Sequence, residues 1–192
     1  MTPRDYAQLA QRAYLVQPQI GAESSAARAI VEGDAVAFPG TNNVACWLAD
    51  LDARVMQVDG LGALHRGFWG ALCSIRVALM ALPAPVVTVG HSEGAALAIL
   101  FAAALCLAGR PPKAVYGFEP PRVSADGTLA SVLNTHGVQV SLYRNGEDVV
   151  PLVPRLLHDW QHPAPLIKIG RPALPMPNVS DHAIGRVIQA LA

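Results

Sequence analysis

Residues 85–108 decide the fold, and they read PVVTVGHSEGAALAILFAAALCLA. The first six residues form a nearly continuous apolar and β-branched run, which is typical of a strand buried on both faces of a parallel sheet. An Ala- and Leu-rich segment follows at once over residues 93–108 and has the composition of a buried helix. This stretch therefore predicts a strand that turns directly into a helix at the centre of an α/β protein.

The rest of the chain continues this alternation. Strands are predicted where short apolar runs end at Gly or Pro, and helices where apolar residues recur every three or four positions. The predicted strands are 35–38, 55–58, 114–118, 138–143 and 166–169, and the predicted helices are 3–16, 66–80, 125–134 and 184–191, with one helical turn at 156–160. Alternating strands and helices favour an α/β fold with a mostly parallel sheet.

Length and charge narrow the class of protein. The chain has 192 residues, 52% of them apolar, with 14 basic and 14 acidic residues and no net charge. This length predicts a single domain over residues 1–192. Nucleic acid is not predicted as a partner, because a nucleic-acid-binding domain usually carries a basic surplus. The oligomeric state stays open.

Two segments bear on the membrane and on the cellular compartment. Residues 94–109 are strongly apolar, but they number 16, fewer than the about 20 that a membrane span needs. They predict a core helix, and no transmembrane segment is expected. The first residues, Met1–Asp5, include an acid and lead into no apolar signal core. The expectation is a chain that is cytoplasmic as synthesised, with export by another route left open.

The junction of the central strand and helix carries a G-x-S-x-G pattern. It consists of Gly90, His91, Ser92, Glu93 and Gly94. Between a buried strand and a buried helix this pattern is typical of a nucleophile elbow, a sharp turn that lifts the serine hydroxyl over the helix N-terminus. Free N–H groups at that end suit a developing oxyanion. The alternative is that Ser92 only caps the helix.

An acid is expected downstream of the serine. A serine hydroxyl needs a base, the base needs an orienting acid, and in this kind of site the order along the chain is Ser, acid, His. Asp148 fits because it lies just after the predicted strand 138–143. Glu147 is the adjacent rival, and Asp126, after the preceding strand, is a weaker one.

The base is expected near the end of the chain. His182 fits because it lies just before the last predicted helix. His158 and His162 precede a predicted strand and come too early, and His65 and His136 precede the acid. His158 and His162 have the spacing of metal ligands on a helix, but no further ligands cluster with them, so no metal is predicted. The alternative is that His182 is an ordinary residue of the first helical turn.

Seven short motifs appear in register along the chain. They are AFPGT (37–41), WLADL (47–51), HRGF (65–68), VGHSEGAALA (89–98), FEPPRV (118–123), NGEDVVP (145–151) and DHAI (181–184). Together they resemble the class 3 lipases, the fungal-type triacylglycerol lipase family of the α/β-hydrolases, over roughly residues 34–190. The resemblance implies an α/β-hydrolase fold of minimal size, with a mostly parallel central sheet flanked by helices.

The resemblance also implies roles for single residues. Ser92 would be the nucleophile, Asp148 the orienting acid and His182 the base, which is the triad that the order along the chain already selects. The backbone N–H groups of Thr41 and Glu93 would form the oxyanion hole. No cofactor is implied.

Three features concern substrate access and departures from the family pattern. Trp47 and Leu48 resemble part of the lid segment, which would cover the site in water and contact substrate. Glu93 stands where the family usually has Leu, and a carboxylate beside the nucleophile would either disfavour long apolar acyl groups or perturb His182. Glu119 stands where the family has Gly.

The sequence therefore predicts a serine carboxylic-ester hydrolase, a lipase or esterase that works through an acyl-enzyme. Its substrate would be an ester or lipid, met at an interface if the lid segment covers the site. One alternative is a cutinase-like enzyme or polyester depolymerase. Another is a non-catalytic binding module that keeps the hydrolase fold.

Overall fold

A seven-stranded sheet forms the centre of the computed structural model, which describes residues 1–25, 27–41, 43, 48, 54–155 and 158–192. In chain order the strands are β1 (Ile20–Gly21), β2 (Arg28–Glu32), β3 (Ala35–Phe38), β4 (Val55–Val58), β5 (Gly62–His65), β6 (Val87–His91), β7 (Ala114–Phe118), β8 (Gln139–Asn145) and β9 (Leu166–Ile169). β4 and β5 form a separate antiparallel pair, and the others belong to the sheet.

Most of the sheet is parallel. The strand order is β1-β2-β3-β6-β7-β8-β9. The neighbours from β3 through β6, β7 and β8 to β9 pair in parallel, whereas β1 with β2 and β2 with β3 pair antiparallel. The carboxyl ends of the parallel strands therefore meet at one edge, which is where open α/β sheets bind their ligands. The predicted fold class is confirmed.

Helices cover both faces of the sheet. Within the described ranges they are α1 (Pro3–Leu15), α2 (Arg66–Ala81), α3 (Glu93–Leu107), α4 (Thr128–Thr135) and α5 (Ile184–Ala190), with 3-10 turns at Val150–Leu152 and Ser180–His182. α2, α3 and α4 pack on one face, and α1 and α5 on the other. The side chains of β3 alternate between these two cores, with Val36 and Phe38 on the first face and Ala35 and Ala37 on the second.

α3 is buried all round, as the prediction of a core helix requires. Every residue from Glu93 to Cys106 is buried, which explains why this helix has no polar face. Its backbone also holds the central strand, because the Thr88 hydroxyl donates to the carbonyl oxygen of Ala98 at 3.0 Å. In the described part of the chain, no helix combines the length and the apolarity needed to cross a membrane.

The sheet extends beyond the predicted strands at its antiparallel edge. The sequence does not predict β1, whose two residues are too few to show a pattern, or β2, where Arg28 and Glu32 stand at the two ends of the strand. β5 is also missed, since Gly62–His65 shows no alternation of polar and apolar residues.

Two predicted helical segments differ from the structure. α4 begins at Thr128 and not at Ala125, because the Asp126 carboxylate accepts hydrogen bonds from the N–H groups of Thr128 and Ala63 and holds the preceding residues in a turn. The predicted helical turn at 156–160 is wrong for residues 158–160, which are not helical, and residues 156 and 157 lie outside the described residues.

Truncating a side chain inside α3 tests this packing. Leu100 is fully buried, so Leu100→Ala is expected to lower the free energy of unfolding by about 2–5 kcal/mol. Leu15→Ala is the matched control, because Leu15 is 77% exposed and its loss should change stability by less than about 0.5 kcal/mol. Urea denaturation measures both, and equal losses would contradict the burial of α3.

Candidate active site

The residues predicted for the site lie at the carboxyl-end edge of the sheet. Thr41 follows β3, Ser92 follows β6 and Asp148 follows β8, while His182 ends the 3-10 turn before α5. Ser92 and Asp148 are 0% exposed and His182 is 3% exposed. The site is therefore a buried polar cluster above the middle of the sheet.

Ser92 occupies a strained turn between β6 and α3. Its φ of +59° lies in the left-handed region that residues other than Gly rarely adopt, and such strain costs about 1–3 kcal/mol. The neighbouring glycines make the turn possible: a Cβ on Gly90 would collide with the backbone of Gly94, and a Cβ on Gly94 with the carbonyl of Phe38. The turn has the geometry that the G-x-S-x-G pattern predicts.

A short hydrogen bond joins His182 to Asp148. His182 Nδ1 lies 2.6 Å from Asp148 Oδ2, and the other carboxylate oxygen accepts from the N–H of Val150 at 3.1 Å. Because a carboxylate only accepts hydrogen bonds, Nδ1 carries the proton. Nε2 of the neutral imidazole is then free to accept a proton.

Asp148 is ionised although it is buried. Burial by itself would raise the pKa of this carboxyl, but the hydrogen bond from His182 and the neighbouring Glu119 outweigh burial and hold the pKa below its ordinary value. Arg144 fixes the loop that carries the acid. Its Nε donates to the backbone carbonyl of Asp148 at 3.0 Å, and its guanidinium also binds the carboxylate of Glu147 at 2.7 Å.

The reactive atoms of the serine and the histidine have no hydrogen-bond partner among the described residues, and they are not hydrogen-bonded to each other. Ser92 Oγ and His182 Nε2 are buried, and neither makes a hydrogen bond to any described residue. Leaving a polar atom buried and unpaired costs about 1–3 kcal/mol. His182 is held beside the elbow by His91, whose ring centroid lies 4.7 Å from that of His182.

His91 connects α1 to the site and is fixed in one tautomer. Its Nε2–H donates to the carbonyl oxygen of His182 at 2.8 Å, so its Nδ1 accepts the hydroxyl proton of Tyr14 at 2.7 Å. The Tyr14 hydroxyl also packs against Gly40, where an added Cβ would lie 2.5 Å from its oxygen. Burial, helped by the neighbouring His182, lowers the pKa of His91 to about 3, so the ring stays neutral. The sequence gives no sign of this role for Tyr14, since nothing marks it apart from the other residues of α1.

The rival acids and bases have other roles. Glu147 forms its ion pair with a neighbouring arginine, and Asp126 holds the turn before α4. His65 caps the N-terminus of α2 and stacks on an aromatic ring, His162 bonds a backbone carbonyl at 2.8 Å, and His158 is exposed.

Both predicted oxyanion donors border the nucleophile. A Cβ on Gly40 would lie 2.7 Å from the Cβ of Ser92, so the turn that leads into Thr41 packs directly on the elbow. The Thr41 hydroxyl accepts a hydrogen bond from the N–H of Asn43 at 3.3 Å. Glu93 is the first residue of α3, where backbone N–H groups lack partners within the helix.

The residues predicted to contact substrate are described only in part. Trp47, with most of the lid segment 42–51, lies outside the described residues, and Leu48 is half-buried and helical. The Glu93 side chain is 8% exposed, and burial raises the pKa of its carboxyl, an effect that Arg28 opposes. A carboxyl that is largely removed from water therefore lies next to the nucleophile.

A cavity of about 360 Å³ opens onto the site, a volume in the usual range for small-molecule sites. Its wall includes Thr41, His91 and His182, together with Tyr14 and Leu15 of α1 and Ile184 of α5. A larger cavity of about 640 Å³ lies between α2 and α3, and its lining includes none of the predicted site residues.

Glu119 is a second buried acid beside the triad. It follows β7, is fully buried, and has a φ of +52°. One oxygen atom each from Glu119 and Asp148 and a ring nitrogen of His182 lie within 4.8 Å of one another, which is a set that could chelate a metal ion. The hydrogen bond between Asp148 and His182 already uses part of this set, so a bound ion would have to displace its proton. The sequence marks Glu119 only as a departure from the family's Gly.

The sheet order, the strained elbow and the buried Asp–His pair define an α/β-hydrolase. Within that class, the chain belongs to the class 3 lipase family: residues 35–158 match the family described as Lipase (class 3). The resemblance stated from the seven sequence motifs is confirmed.

Named relatives agree with this family. The chain is 30% identical over 158 residues to the secreted mono- and diacylglycerol lipase A of Penicillium cyclopium and of Penicillium camembertii. The match covers 76% of this chain and 51% of each relative, so the chain spans about half the length of the curated relatives it matches.

Solved structures of fungal lipases share the fold. A mutant of the lipase MDLA from Penicillium cyclopium has a TM-score of 0.62 at 24% identity, over 94% of this chain and 82% of that one. The Rhizomucor miehei triacylglyceride lipase has a TM-score of 0.66 at 20% identity, over 80% of this chain and 74% of that one. Similarity at this level of identity concerns the fold alone.

The prediction of the cellular compartment is wrong. The cytoplasmic location is contradicted by the two curated relatives, both of which are named as secreted lipases. The prediction rested on the stretch Met1–Asp5, and a chain that spans half of its relatives' length carries no evidence about export in its first residues.

The buried state of His91 predicts a pH effect. Its pKa of about 3 lies below the ordinary 6.5, so between these values the unfolded chain binds one proton more than the folded chain. Stability should therefore fall as the pH drops through this window, by up to about 1.4 kcal/mol per pH unit. NMR of the folded protein should show a His91 ring that does not titrate down to about pH 5, while the urea-unfolded chain titrates near 6.5. A folded-state titration near 6.5 would contradict the network.

Proposed function

We propose that this protein is a serine carboxylic-ester hydrolase, a lipase or esterase, in which Ser92, His182 and Asp148 form the catalytic triad. The observation that carries the proposal is the buried 2.6 Å hydrogen bond between Asp148 and His182 Nδ1, which leaves Nε2 unpartnered in the same buried cluster as Ser92 Oγ. Membership of the class 3 lipase family supports the same activity.

The first half of the reaction forms an acyl-enzyme. Ser92 Oγ attacks the ester carbonyl carbon while His182 Nε2 takes the hydroxyl proton, and Asp148 stabilises the imidazolium that results. The carbonyl oxygen becomes an oxyanion, which the N–H groups of Thr41 and Glu93 stabilise. When the tetrahedral intermediate collapses, the C–O bond to the alcohol breaks and His182 returns the proton to the leaving alcohol.

The second half repeats these steps with water. His182 removes a proton from the attacking water, the same oxyanion hole holds the new intermediate, and the bond to Ser92 Oγ breaks as the histidine returns the proton to the serine. The acid product leaves and the enzyme is restored. All proton transfers in this scheme use side chains of the chain itself.

The substrate class follows from the cavity and the relatives. The cavity next to His182 has a volume of about 360 Å³, and the side chains of Leu15 and Ile184 form apolar parts of its wall, which suit an acyl chain or a small alcohol group. The curated relatives are named as mono- and diacylglycerol lipases, so partial glycerides are the proposed substrates. Export of the protein, action at a lipid interface under a lid that includes Trp47 and Leu48, and a single domain over residues 1–192 belong to the same proposal.

The alternative functions are less well supported. A cutinase-like or polyester-degrading enzyme would use the same triad, but the named relatives are lipases. A non-catalytic binding module would be expected to have lost one of the three catalytic side chains, and Ser92, Asp148 and His182 are all retained.

Hydrolysis of p-nitrophenyl esters of graded acyl length tests the triad. Ser92→Ala, His182→Ala and Asp148→Asn should each lower kcat by about 10⁴-fold or more, because the three groups act as a unit. Glu147→Gln and His158→Ala are the matched controls for the acid and the base, and both should keep wild-type rates. Full activity of Ser92→Ala would remove the serine as nucleophile, and a wild type inactive on every ester would favour the binding module.

The carboxyl at position 93 should influence the preferred acyl length. Glu93→Leu is expected to raise kcat/KM for long-chain relative to short-chain esters by roughly fivefold or more, since a carboxyl beside an apolar chain costs about 1 kcal/mol or more. Glu93→Gln keeps the size and polarity without the charge, and so separates charge from polarity. An unchanged preference in Glu93→Leu would show that this side chain does not act on the acyl chain.

A further inference from the structure

Glu119 combines a strained backbone with a buried carboxyl, one oxygen of which lacks a hydrogen-bond donor in the described part of the chain. It is fully buried, its φ of +52° lies in the region that favours Gly, and its Oε2 makes no hydrogen bond to a donor among the described residues. A glycine would relieve the backbone strain and remove the buried carboxyl together. The hydrogen bond from the N–H of Asn145 offsets only part of this cost, and strain held beside the site motivates a functional hypothesis.

The surroundings of Glu119 require a proton between two acids. Its Oε1 accepts the N–H of Asn145 at 2.5 Å, and its carboxyl lies against that of Asp148, with one oxygen of each and a nitrogen of His182 within 4.8 Å. Two neighbouring carboxylates buried away from water strongly disfavour ionisation of both, as in other paired-carboxyl sites. One of the two acids therefore carries a proton that the other accepts.

Hydrogen bonding decides which acid holds it. Asp148 accepts from His182 at 2.6 Å and from the N–H of Val150 at 3.1 Å, and both bonds favour its anion. Glu119 accepts only the N–H of Asn145 among the described residues. The proton consequently resides on the free Oε2 of Glu119, which then has an acceptor in Asp148 and no longer lacks a partner.

We propose that Glu119 is a positioning residue that remains protonated at neutral pH and donates its O–H to Asp148, so that the acid of the triad is held from both sides. The inference rests on the proposed hydrolase function. The carboxylate of Asp148 then binds His182 on one side and Glu119 on the other. It keeps its negative charge, because Glu119 shares a proton and does not transfer it.

The electrostatics around Glu119 agree with this assignment. Burial comes first and the hydrogen bond with Asp148 second in raising the pKa of Glu119 well above its ordinary value, while the N–H of Asn145 and the charge of Arg144 oppose them. His182 approaches from the turn before α5. Asp181 in that turn directs its carboxylate to backbone N–H groups instead.

The effect on catalysis is to limit the freedom of Asp148. Without the O–H of Glu119, this carboxylate would be free to rotate or to admit water, and the imidazole of His182 would lose its fixed direction towards Ser92. Such a loss slows the chemical step and leaves substrate binding alone, so it should appear in kcat and not in KM.

Two substitutions at position 119 separate positioning from mere packing. Glu119→Gln keeps an N–H donor towards Asp148 and a carbonyl that accepts from Asn145, so it should keep kcat within about twofold of the wild type. Glu119→Gly removes the donor while suiting the backbone, and it should lose about 10-fold to 100-fold in kcat on p-nitrophenyl esters with little change in KM. Wild-type kcat in Glu119→Gly, or an equal loss in Glu119→Gln, would overturn the proposal.

The protonation state of Glu119 is tested by the pH dependence of unfolding. Ser92→Ala is compared with the double variant that also carries Glu119→Gln, so the test does not depend on enzyme activity. Above the ordinary pKa of 4.5, the unfolded chain releases the Glu119 proton and the folded chain keeps it. The folded protein with Glu119 therefore binds one proton more than the unfolded protein, and its stability falls as the pH rises. The equilibrium constant for unfolding, relative to that of Glu119→Gln, should therefore increase by up to about tenfold per pH unit. Taking this ratio cancels the contributions of His91 and the other groups.

The stability and activity measurements distinguish failure of the Glu119 proposal from failure of the proposed hydrolase function. A ratio that does not change with pH would mean that Glu119 is ionised in the folded protein, and the proposal would be wrong even if the enzyme hydrolyses esters. A ratio that rises as expected, together with a wild-type protein that hydrolyses no ester, would support the shared proton and contradict the proposed function.

Discussion

The hydrogen bond between Asp148 and His182 is the interaction on which the site depends. A buried carboxylate is stable only if hydrogen bonds and nearby charges offset the loss of water, and this one has a backbone N–H, an imidazole and a neighbouring acid around it. These groups come from the loop after β8, the turn before α5 and the end of β7. The sheet therefore has to hold several strand ends in register before the catalytic groups can be buried at all.

The fold could be predicted from the sequence where burial acts on both faces of an element. β6 and α3 are enclosed by other elements, so their sequences are apolar throughout and their limits are close to those predicted. β1 and β2 could not be predicted in the same way. They form the antiparallel edge of the sheet, where β2 carries Arg28 and Glu32 at its ends. Their pairing depends on the tertiary partner and leaves no periodic pattern in the sequence.

The triad of the candidate site could be predicted from the sequence, because its residues occur in a characteristic order along the chain. Ser92, Asp148 and His182 follow from the elbow pattern and from the order of the three groups. The hydrogen bond between Tyr14 and His91 joins residues 77 positions apart, and no motif links them. Such contacts are set by packing of α1 on the sheet. The position of Glu119 was visible as a departure from the family pattern, but the acid that it faces becomes apparent only in three dimensions.

The two strained residues at the ends of β6 and β7 have a consequence for engineering. Ser92 and Glu119 both hold positive φ values, and each carries a buried polar atom without a hydrogen bond to the described residues. Substitutions that relax such positions usually make a protein more heat-resistant and less active. Laboratory evolution for thermal tolerance alone would thus accumulate glycine at these two positions and lower the turnover rate. Selection for both heat resistance and activity should leave both residues unchanged and place stabilising substitutions in the helices that cover the sheet.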